Sequence, residues 1–119
     1  MMEITIREYL AGVLEVPVFL ELPEVPSPEY PAWPQRYVLI EKVGGRKENR
    51  VSTESFALQS HSLNSLYEAA SLDERVREAM DDLAVLPEIG SSSLASNYNH
   101  TDTRTKRYRY QCVYDVSFA

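Results

Sequence analysis

From Arg107 to Phe118 the chain alternates with period two. Tyr108, Tyr110, Cys112, Tyr114, Val116 and Phe118 fall on one side, Arg107, Arg109, Gln111, Asp115 and Ser117 on the other, and only Val113 breaks the polar set. Successive side chains of a strand point to opposite faces, so this run reads as a half-buried β-strand that must have neighbouring strands and an apolar layer against one face. Leu94 to Asn99 supplies an antiparallel partner. The polar connection over 99–106, with Arg104 and Lys106, is expected to be a solvent-exposed loop.

The covering layer is read from the segment after Ser62. Either Ser62 or Ser65 can cap a helix, and Ser65-Leu66-Tyr67-Glu68 has the capping-box pattern, in which a serine satisfies an orphan N–H and a glutamate three residues on reaches back. Leu66, Ala69, Leu72, Val76, Met80 and Leu83 then recur at steps of three and four, with acidic and basic residues largely between them. The spacing predicts an amphipathic helix running to about Leu86, where Pro87 and the small, polar residues from Gly90 to Ser93 stop it.

A shorter helix is expected at the N-terminus, opening at Thr5 with Glu8 three residues on and carrying Ile6, Tyr9, Leu10, Val13 and Leu14 at helical spacing. Val16 to Glu21 reads as a short strand that Pro17 confines to an edge. Tyr37 to Val43 reads as a strand with both faces partly covered, ended by Gly44-Gly45. A hairpin tip over 44–50, carrying Arg46, Lys47 and Arg50, leads into a more polar strand from Val51 to Ser62. Phe56 and Leu58 lie on one face of it, Ala57, Gln59 and His61 on the other. The expected architecture is one α+β domain over residues 1–119. It has a mainly antiparallel sheet of about four to five strands, the long helix packed on one face, and a short N-terminal helix.

Residues 22–36 interrupt this regularity. Five of the seven prolines lie there, in LPEVPSPEYPAWPQR, and so many fixed φ angles and missing N–H groups leave neither helix nor central strand open. Two readings of this loop stand. It is either a surface connection or an arm lying on a neighbouring molecule, with Tyr30 and Trp33 as anchors.

Composition narrows the function. In 119 residues, 44% hydrophobic, the chain is long enough to bury roughly 65% of its unfolded surface without disulfides or a structural metal. A net charge of -6 argues against duplex DNA or an anionic membrane as primary partner. The single cysteine, Cys112, closes no internal disulfide, so a reducing interior is expected, and the first residues show no signal-peptide pattern. The catalytic inventory is thin. His61 and His100 are the only imidazoles, no Cys-x-x-Cys or His-x-x-x-His spacing occurs, and Gly44-Gly45-Arg46-Lys47 leads into a strand rather than the helix a phosphate loop needs. No enzymatic activity, cofactor or metal is expected. The Arg104, Lys106, Arg107 and Arg109 cluster interleaves with tyrosines, but the alternation puts rings and charges on opposite faces, which suits an acidic protein neighbour better than nucleic acid.

A family likeness is carried by the order and spacing of several segments: Tyr37 to Gly45 after the proline-rich stretch, Phe56-Ala57-Leu58-Gln59-Ser60, the helix Glu68 to Met80, Asn97-Tyr98-Asn99, and the strand Arg107 to Tyr114. In these, over nearly its whole length, the sequence resembles the tail terminator and tail-completion proteins of long-tailed bacteriophages. The resemblance implies a structural virion protein that forms a ring, expected to be hexameric, at the head-proximal end of the tail tube. It would be assembled in the host cytoplasm. Such a ring ends tube polymerisation, contacts the major tail tube protein, and presents a surface to the head-tail connector, with DNA only passing through the lumen. Closed rings use heterologous contacts. The interface residues expected on this basis are Tyr30 and Trp33 with the two basic tips, Arg46, Lys47 and Arg50 or Arg104, Lys106 and Arg107, set against the acidic helix face of a neighbour. Two alternatives are a head-completion or connector ring, and a small cytosolic enzyme or ligand-binding domain with a pocket built from Trp33 and the tyrosines.

Overall fold

The computed structural model describes residues 1–105 and 107–119. In chain order it contains helix α1 (Met2–Leu14), strands β1 (Val18–Phe19), β2 (Arg36–Glu48) and β3 (Val51–Ser62), helix α2 (Leu66–Asp81), a 3-10 turn (Leu83–Val85), and strands β4 (Ile89–Asn99) and β5 (Tyr108–Phe118). The five strands form one sheet in the order β1-β2-β3-β5-β4. β1 runs parallel to β2 and every other pair is antiparallel. Both helices pack on one face, which makes the fold α+β as expected.

The core lies between that face and the helices. Val38 and Ile40 of β2, Phe56 and Leu58 of β3, and Cys112, Tyr114 and Val116 of β5 meet Ile6, Leu10 and Leu14 of α1 and Leu72, Val76 and Met80 of α2. The period-two run of β5 thus does what its pattern requires, since Cys112, Tyr114 and Val116 are fully buried. Two side-chain bonds tie the helices to each other. Tyr9 Oη donates to the Ala79 carbonyl at 3.1 Å, tying α1 to α2. The Arg75 guanidinium donates at 2.7 Å to the Leu14 carbonyl, a cation set on the orphan acceptors of a helix C-terminus.

Several boundaries differ from those read in the sequence. α1 begins at Met2 rather than at Thr5, with no side-chain cap. Met2 is buried one turn before Ile6, and that packing extends the stripe where a Thr5 cap would have ended it. α2 has the expected start, with Ser65 Oγ accepting from the Glu68 N–H at 3.1 Å. The Glu68 carboxylate, however, turns to Arg36 (3.2 Å) instead of back to the cap. The α-helix stops at Asp81, and only a 3-10 turn continues to Val85, because Leu86 precedes Pro87 and takes an extended conformation.

The expected tip over 44–50 shrinks to two residues. The β2–β3 ladder continues to Glu48 opposite Val51, past a bulge between Lys42 and Gly44. The turn is Asn49-Arg50, both at positive φ (49° and 65°), the geometry that suits the twist of a two-residue hairpin. β4 is likewise longer than expected. Gly90 to Ser93 belongs to the strand, and Ser92 Oγ donates to the Met80 carbonyl at 2.7 Å, closing the end of α2.

Candidate interaction surfaces

The face of the sheet without helices carries side chains from alternate positions of β2, β3, β5 and β4. At one end of it the rings of Trp33, Tyr37 and His61 stack in series. The Trp33 and Tyr37 centroids lie 5.7 Å apart, those of Tyr37 and His61 4.5 Å apart. Tyr30 meets Phe19 edge-on at 5.5 Å, and Phe19 in turn lies 5.8 Å from Tyr37. Both rings expected as anchors of an arm are therefore half-buried against the chain's own sheet, which seats the proline-rich segment over β1 and the start of β2. Trp33, Tyr30 and Tyr37 are thus packed on neighbouring rings.

A polar row runs on from His61. Its Nε2 pairs with Gln59 Oε1 at 3.1 Å, Gln59 Nε2 donates to Gln111 Oε1 at 3.1 Å, and Gln111 Nε2 donates to Tyr98 Oη. Burial first, then the positive charges of Arg109 and Arg107, hold the His61 imidazole down to about 4, so it is neutral near pH 7. Further along the same face Ser55 Oγ donates to Asp115 Oδ1 at 2.6 Å.

The basic residues expected at an interface fall into two groups at opposite ends of the sheet. Ser52 pairs with Phe118 at the end that carries Arg46, Lys47 and Arg50, whereas Ser62 pairs with Tyr108 at the end that carries Arg104 and Arg107. Lys106 lies outside the described residues. All five of these arginines and lysines are exposed, and among the described residues none forms an ion pair. The Arg104 end is shaped by Asp102, whose carboxylate accepts from the Arg104 N–H at 3.0 Å and is held below its usual range by that bond.

At the other end the outer strand β2 is an exposed edge, and only Glu48 to Val51 extend past Ser52–Phe118. Every residue from Glu41 to Val51 is exposed, and a concavity of about 570 Å³ opens along it, lined by Lys42, Gly44, Gly45, Arg46, Lys47, Ser52 and Glu54. Lys42 is ion-paired with Glu54 across the hairpin. Gly44 and Gly45 put no side chain into the space.

Groups that could do chemistry are kept apart. His61 lies on the helix-free face, while Cys112 is buried under α2, where burial pushes its thiol up and the Asp73 charge adds to the effect. Among the described residues no three or more His, Cys, Asp or Glu side chains are placed to hold a metal ion. Asp73, 1% exposed, is the residue sequence reasoning missed. One of the charged residues set between the apolar positions of the helix, it accepts from Arg77 Nε at 2.9 Å and from Asn97 Nδ2 at 2.9 Å. Its place beside Leu72, with Arg77 four residues on, was the available signal.

No protein-family model matches this sequence, and no curated protein matches it. Among the described residues no helix is long and apolar enough to cross a membrane.

Proposed function

We propose that this chain is a structural subunit of a long-tailed bacteriophage virion, a tail terminator that closes as a ring, expected to hold six copies, on the head-proximal end of the tail tube. The ring stops tube polymerisation and offers its outer side to the head-tail connector, while DNA passes through its lumen. The sequence resemblance to that family runs over nearly the whole chain. The observation that carries the reading is the outer edge of β2, exposed from Glu41 to Glu48 with, among the described residues, no strand beside it, and ending in a turn of which Glu48 to Val51 extend past Ser52–Phe118. An isolated domain gains little from eleven ordered, exposed residues that add nothing to the core, whereas a subunit that must meet a neighbour gains a contact surface. Separation of His61 from Cys112 and the modest, open concavities fit a binding rather than a catalytic role.

Electron microscopy of tails assembled in the absence of the protein tests the reading. Tubes of unregulated length are expected. Tails of normal length that fail to join heads would assign the chain to the connector instead, and normal, infectious particles would overturn a virion role.

A further inference from the structure

The sheet has two lateral edges, and they differ. β4 is the outer strand on one side, eleven residues (IGSSSLASNYN) without one lysine, arginine or proline. Edge strands that must stay single are normally blunted by such residues, by shortness, by bulges, or by a covering element. β4 is bulged between Ile89 and Ser91 and between Leu94 and Ser96 but has none of the others, and from Ser93 to Asn99 every residue is exposed. On the other side β1 pairs with β2 at Val38 and Leu39, and among the described residues the run from Val43 to Glu48 has no strand on its outer edge. That run is basic, with Arg46 and Lys47.

Direction and charge match across these edges. β2 runs toward the Asn49-Arg50 turn, and β4 starts at that same end of the sheet, where Ile89 pairs with Phe118 and Phe118 with Ser52. In a ring whose axis follows the strands, all copies point the same way. The outer edge of β2 in one copy then meets β4 of the next antiparallel, the more stable pairing. The exposed carboxylates Glu78, Asp81 and Glu88 flank the join of α2 and β4, where Ser92 Oγ meets the Met80 carbonyl at the end of the sheet that carries Arg46 and Lys47, and Asp81 also accepts from Tyr114 Oη at 2.6 Å. Val43 (55% exposed) on one side and Val85 (74%) and Leu94 (46%) on the other supply apolar contact area.

We propose that these edges are the two halves of one copy-to-copy contact. The outer edge of β2 from Val43 to Glu48, with Arg46 and Lys47, docks on the first half of β4 and the adjacent Glu78, Asp81 and Glu88 of a second copy of this chain. The proposal rests on the ring reading above and names its interface. It also divides the work of the two basic ends, leaving Arg104 and Arg107 at the far end of the sheet, on the axial side of the ring, free for a different partner.

A charge exchange tests it. One variant carries Arg46→Glu and Lys47→Glu, the other Glu78→Lys and Glu88→Lys, all at exposed positions. Circular dichroism and thermal melting confirm that each folds. Native mass spectrometry of the free proteins and electron microscopy of tail-tube ends read the assembly. Each variant alone is expected to associate about 10-fold or more weakly than the wild type, since like charges then face each other. An equimolar mixture is expected to regain closed oligomers with an even number of alternating copies. If both variants close rings as well as the wild type, the interface lies elsewhere and the ring reading stands. A stable dimer that survives both reversals would place β4 against β4 and overturn the proposal. If the wild type forms no closed oligomer, free or on tube ends, the ring reading itself fails.

Discussion

The His61 imidazole lies flat on the Tyr37 ring, with centroids 4.5 Å apart and planes within 7°. Trp33 covers the other side of Tyr37, so a residue from the proline-rich loop, one from β2 and one from β3 form a single stack. This stack holds the loop on the domain. It also keeps His61 neutral by removing it from water beside two arginines.

Stability should therefore depend on His61 in acid. Its folded value of about 4 lies below the ordinary 6.5, so the unfolded chain takes up the proton first as pH falls. The contribution is complete above about pH 6.5 and is lost as pH drops toward 4, by at most about 3 kcal/mol. Urea unfolding of the wild type and of His61→Phe between pH 7.5 and 4.5 is expected to show a steeper loss in the wild type. Equal slopes would contradict it.

Trp33 distinguishes a loop seated on its own domain from an arm reserved for a neighbour. Trp33→Ala is expected to lower the unfolding free energy of the monomer by ~1–2 kcal/mol and to expose residues 22–36 to proteases, through loss of the stacked pair. Unchanged stability together with lost assembly would instead show that the ring serves another copy.

Asp73 should be the most sensitive charged position. Asp73→Ala leaves the Arg77 guanidinium without its acceptor and the Asn97 amide with only the Gln111 carbonyl, and is expected to cost ~2–4 kcal/mol in urea unfolding. Asp73→Asn, which retains one acceptor oxygen, is expected to cost less. A loss below ~0.5 kcal/mol for the alanine variant would mean that water replaces the carboxylate without penalty.

Cys112 is expected to be inert while the domain is folded. It is fully buried and its thiol is held above the ordinary range, so little thiolate exists near neutral pH. Ellman's reagent should label it only in denaturant. Rapid native labelling would show that the β5–α2 packing opens readily.

What could be read from the sequence was set by neighbours close along the chain. The alternation of β5 and the Ser65 cap are local patterns, and both stand in the structure at the residues expected. Elements fixed by distant partners were misjudged. β2 continues through Gly44 and Gly45 because β3 pairs with it across an Asn49-Arg50 turn, and Ser91 to Ser93 form a strand because β5 lies beside them. Period and propensity contain neither fact. The same holds for the candidate interface. Arg46, Lys47, Arg104 and Arg107 were visible as basic clusters, but only the strand register puts them at opposite ends of the sheet. Tyr30 and Trp33 were visible as rings in need of a partner, and the partner is Phe19 and Tyr37 of the same chain.

On the proposed reading this chain caps a tail tube as a closed ring. Cryo-electron microscopy of tail tubes to which the purified protein has been added is the decisive experiment. A single ring, six-fold by expectation, is expected on one end of each tube, with an arrest of further growth from that end. Bare tube ends that continue to elongate at saturating protein would contradict it.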